Sequence, residues 1–130
     1  MEKYNIIHES WGPFAEGRNN LFSNATLKKI GEKYGSFDLA ILENGQYNKD
    51  WRYIHMMPGE NIKAMEDLNA KRMIPVHNSK FALATHPWKE PLEKIMELNT
   101  ENKRILIPKI GEKTNYLNDD ENYEQWWRSY

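Results

Sequence analysis

"PGENIKAMEDLNAKRMIPVH", residues 58–77, changes its periodicity once, and that change decides the fold. Ile62, Met65 and Leu68 recur at helical spacing behind Pro58, the pattern of an amphipathic helix with one apolar face. From Arg72 the pattern is lost, and "RMIPVH" (72–77) reads as a strand that closes on a histidine. The same alternation extends in both directions. "SNATLKKIGEKYG" (23–35) carries Leu27, Ile30 and Tyr34 on one face, with Asn24 or Ser23 as N-cap and Gly35 as stop, and it precedes "FDLAIL" (37–42). "PWKEPLEKIMELN" (87–99) repeats the helical period with Leu92, Ile95 and Met96, its prolines suiting a helix start, and it precedes "RILIPKI" (104–110). "YNIIHE" (4–9) adds a strand at the front.

Four strands alternating with three helices define an α/β fold, with a parallel or mixed sheet built from crossover units. Ile41, Val76 and Ile107 are expected to face inward. A chain of 130 residues with 39% hydrophobic content makes one domain, 1–130, with a small core. Residues 10–23 show no period and read as a loop, and 113–130 read as an acidic extension with an aromatic anchor, "YEQWWRSY".

Lys and Arg number 18 against 19 Asp and Glu, a net charge of −1. That balance argues against nucleic acid and against an anionic membrane surface as partners. The chain has no cysteine, so only His, Asp and Glu could bind a transition metal. The start, "MEKYNIIHES", has no apolar run of signal-peptide length, and no window approaches the roughly 20 apolar residues of a membrane span. The composition reads as a soluble, cytoplasmic protein.

Ligand sites in such sheets gather beyond the carboxyl ends of the strands. His77 ends its strand there, and the loops after "FDLAIL" and before "PGEN" bring Asn44, Gln46, Tyr47, Tyr53 and His55 toward the same rim. His86, before Pro87 and Trp88, reads as a loop or cap residue, and His8 with Glu9 could place a carboxylate at the rim. Imidazoles bind metal or move protons near neutral pH, but each of these histidines is equally open to a structural, hydrogen-bonded role. H-E-x-x-H, G-x-S-x-G, a Walker-type loop and G-x-G-x-x-G are all absent.

As a block, residues 27–112, with "GQYNKDWRYIHMMPGE", "RMIPVHNSKF" and "HPWKEP" in order, resemble the carboxy-terminal half of the metallo-β-lactamase-fold hydrolases. The branch is that of N-acyl-phosphatidylethanolamine-hydrolysing phospholipase D and L-ascorbate-6-phosphate lactonase. The resemblance implies half of an αββα sandwich, a metal-dependent phosphodiesterase- or lactonase-like chemistry, and zinc as the family's metal. It implies His77 as a metal ligand, with Glu9 the nearest candidate for the bridging carboxylate. His55 becomes the catalytic, substrate-side histidine, with Tyr47, Tyr53 and His86 lining the substrate. Phe81, Pro87 and Pro91 match the run that follows.

The departures are equally specific. The family's H-x-H-x-D-H cluster does not occur, Asn78-Ser79 replace Trp-Gly after the ligand histidine, and Pro58-Gly59-Glu60 replace Pro-Glu-Glu. The expectation is a chain inactive alone, binding zinc weakly or not at all. A homodimer or a separately encoded amino-terminal half would complete it, around a small-molecule substrate. The alternative is a non-catalytic remnant serving as a binding or interaction module.

Overall fold

The computed structural model describes residues 6–8, 24–51, 54–120 and 122–130. Strands β1 (Ile6–His8), β2 (Leu39–Glu43), β3 (Arg72–Val76) and β4 (Arg104–Ile105) alternate with helices α1 (Asn24–Tyr34), α2 (Glu60–Asp67) and α3 (Glu90–Leu98). Every described pairing is parallel, in the order β1-β2-β3-β4. A mixed sheet does not form among these strands because a helix separates each pair of neighbours and returns the chain to the same end of the sheet. Residues 10–23, expected to form a loop, Glu9 and Tyr53 lie outside the described residues.

Sequential neighbours joined by crossovers of one hand place their helices on one face. The core shows this: Leu27 of α1, Ala64 and Met65 of α2, and Leu92 and Ile95 of α3 pack in one cluster with Ala40, Leu42 and Met73 of the sheet. Gly31 lets α1 and α2 approach, since a Cβ there would stand 2.1 Å from the Asp67 carbonyl oxygen. Gly59 takes a left-handed φ of 88° before α2, and the Glu60 carboxylate accepts the Met57 N–H at 2.8 Å.

The inward face differs from expectation on two strands. Ala40, Leu42, Met73 and Pro75 are buried beneath the helices, whereas Ile41, Ile74 and Val76 are half-buried on the opposite face. Strand parity requires the split, and the register Ile41↔Ile74 sets those two side by side. Ile107 does join the core, and Tyr34 is exposed rather than packed.

The last residues fold back onto the helix side. Trp127 is 1% exposed and donates its indole N–H to Glu93 at 3.0 Å, Arg128 pairs with the same carboxylate, and Trp126 donates to the Ile107 carbonyl at 3.2 Å.

A candidate site at the strand ends

β2 and β3 end level with each other, Glu43 opposite Val76. Beyond them the chain turns through three left-handed residues, Gln46 at φ 57°, His77 at φ 64° and Ser79 at φ 70°. Non-glycine residues pay for that conformation, and such residues cluster at functional sites. Gly45 makes the turn possible, because a Cβ there would stand 2.6 Å from the His77 carbonyl oxygen. Asn44 donates its backbone N–H to Val76 at 2.8 Å, and its side chain bridges the Pro91 carbonyl and Asn61. Buried Gln46 fixes the facing loop with three bonds, donating to the Phe81 carbonyl and accepting from the N–H groups of Leu83 and Ala84.

On this frame His55 and His77 meet. Their rings stack with centroids 5.2 Å apart and planes 23° apart. Glu43 holds His55 from below, its Oε2 3.0 Å from Nδ1, while its other oxygen accepts the Met56 N–H. A carboxylate facing Nδ1 calls for a proton there, so the neutral ring leaves Nε2 as a bare acceptor. His77 lies on the exposed rim. Partial burial, then the neighbouring His55 imidazole, lower its pKa below the ordinary histidine range, against the pull of Glu43. Two stacked imidazoles, one oriented by a carboxylate, present ring nitrogens that can accept a proton or bind a metal.

Glu43 escaped the reading of the sequence. Its signal was its position, a carboxylate closing an apolar strand beside the loop that carries His55. Tyr47 and His86 form a second group, stacked at 4.3 Å, with the Tyr47 hydroxyl donating to Glu90 at 2.7 Å. Catalytic zinc takes about three protein ligands. No group of three or more His, Cys, Asp or Glu side chains that could hold a metal occurs among the described residues. The donors present do not fit a complete centre: Glu43 is committed to His55, which leaves His77 as the exposed imidazole.

A parallel α/β layer with histidines beyond its strand ends is consistent with part of a metallo-β-lactamase fold, and comparison supports that resemblance. Residues 21–78 match the family described as the beta-lactamase superfamily domain, whose members are generally metal-dependent. The chain is 56% identical over 51 residues to outer membrane protein RomA of Klebsiella pneumoniae, covering 39% of each. An uncharacterized protein of Mycobacterium tuberculosis is 35% identical over 98% of this chain and 37% of its own length. N-acyl-phosphatidylethanolamine-hydrolyzing phospholipase D 1 of Caenorhabditis elegans is 32% identical over 71% of this chain and 28% of its own length. The chain therefore spans about two fifths or less of these relatives. The resemblance to this hydrolase branch stands. No helix among the described residues is long and apolar enough to cross a membrane.

Proposed function

We propose that the chain forms one wall of a metal-dependent hydrolase of phosphodiesterase or lactonase type, with His77 as a metal ligand and His55, oriented by Glu43, as the substrate-side histidine. The carrying observation is the stacked His55–His77 pair on the Glu43 carboxylate at the ends of β2 and β3. The donor count supports a wall that needs further ligands, from Glu9 or from chain beyond this one, before it can turn over substrate. Cobalt(II) added to the isolated chain should perturb the His77 ring resonances in NMR spectra before those of His86. Perturbation of His86 first, or none at His77, overturns the assignment.

The half-buried Ile41, Ile74 and Val76 support an assembly in which an amino-terminal half covers this sheet face in the complete enzyme. In the isolated chain a second copy does so. Analytical ultracentrifugation should find a dimer at micromolar concentration, and a monodisperse monomer there would refute this packing.

A further inference from the structure

The first turn of α3 is held by parts of the chain far from it in sequence. Its N-cap residue, Lys89, makes no side-chain cap hydrogen bond, and a helix of nine residues is too short to hold its shape without tertiary partners. Two of those partners belong to the turn that follows β2. The Tyr47 hydroxyl donates to the Glu90 carboxylate at 2.7 Å, and the Asn44 side-chain amide donates to the Pro91 carbonyl at 3.1 Å.

Further partners come from the end of the chain. Glu93 lies one helical turn beyond Glu90 and is its neighbour on the helix surface. It accepts the Trp127 indole N–H at 3.0 Å and the Arg128 guanidinium at 2.8 Å. Trp127 is buried in the core. The Trp126 ring meets it edge-on at 5.9 Å and stacks at 6.4 Å with Trp88, just ahead of α3. The start of α3 thus joins the tail to the turn against which His77 sits, where the Asn44 N–H bonds the Val76 carbonyl and Gly45 approaches the His77 carbonyl.

We propose that the terminal segment Trp126–Ser129 is a strap that positions the candidate site. It sets the start of α3 and, through Glu90 and Pro91, the Asn44–Tyr47 turn. A segment that only filled the core would stabilise the whole domain evenly, whereas a strap controls how readily this one turn opens while the rest stays folded. The strap acts on the turn whatever chemistry the histidines perform, so it stands apart from the hydrolase reading.

The test is amide hydrogen exchange, read residue by residue by NMR, in the 130-residue chain and its Trp127→Ala variant. The Asn44 N–H reports the turn and the Leu92 N–H, bonded to the Lys89 carbonyl, reports the start of α3. The N–H groups of Leu68 and Lys71, bonded to the Ala64 and Phe37 carbonyls, report the far end of α2 and serve as the reference. Exchange at Asn44 and Leu92 should accelerate about tenfold or more beyond any acceleration at Leu68 and Lys71. If Trp127→Ala does not fold, Trp126→Ala, which removes only the half-buried ring stacked on Trp88 and its bond to the Ile107 carbonyl, should give the same pattern. Equal acceleration at all four amides, or acceleration at Leu92 that leaves Asn44 at the reference level, would overturn the proposal.

Discussion

Glu43 shows how one side chain can join fold and site. It is half-buried at the end of β2, and its two oxygens hold the His55 ring and the Met56 backbone, thereby pinning the loop that leads into α2. Removing the carboxylate leaves partly buried donors without partners, at a cost of about 1–3 kcal/mol. Glu43→Ala should therefore lower the denaturant midpoint and release the His55 ring from its stack on His77. An unchanged midpoint, with the His55 and His77 resonances undisturbed, would mean that Glu43 is incidental. At this scale the strand-end position of His77 was legible, and the structure stacks the His55 ring on it. Glu43 and Glu90 were not, because their partners lie 12 and 43 residues away and no local pattern announces such pairs.

At the scale of elements, the change from helical period to continuous apolar runs located three helices and four strands, although of "RILIPKI" (104–110) only Arg104–Ile105 is strand. It did not fix which strand face points inward. A strand buried in a parallel sheet is apolar on both sides, so "LAIL" carries no alternation from which to choose Leu42 over Ile41. The aromatic tail was expected to help cover the open sheet face, and nothing in "YEQWWRSY" states that Trp127 instead enters the core beside α3. Glu93 of α3 holds it there.

The Arg128 guanidinium, followed by the Trp127 indole, keeps the Glu93 carboxyl below its usual pKa against the opposing effect of burial. A carboxyl whose folded pKa is depressed contributes stability above its unfolded value, about 4.3. That contribution is lost as pH falls through the lower folded value. Solvent screens so exposed a pair, so the effect is small. Acidification from about pH 5 to about pH 3 should loosen the tail and shift Trp127 fluorescence toward that of exposed tryptophan. Glu93→Gln should show a shallower pH dependence over that window, and an identical acid profile in both chains would remove Glu93 from the account.

For the whole molecule, all three helices cover one face of the sheet, and the histidine pair sits at the sheet's carboxyl edge with its donor set incomplete among the described residues. That incomplete set is what motivates the proposal of a wall that needs further ligands. Equilibrium dialysis of the purified 130-residue chain against zinc tests this most directly. A single exposed imidazole does not make a tight zinc site, so the account predicts no stoichiometric binding at micromolar zinc. One equivalent bound at micromolar affinity or tighter, and lost in His77→Ala, would show that the chain builds a complete metal centre by itself and would contradict the account.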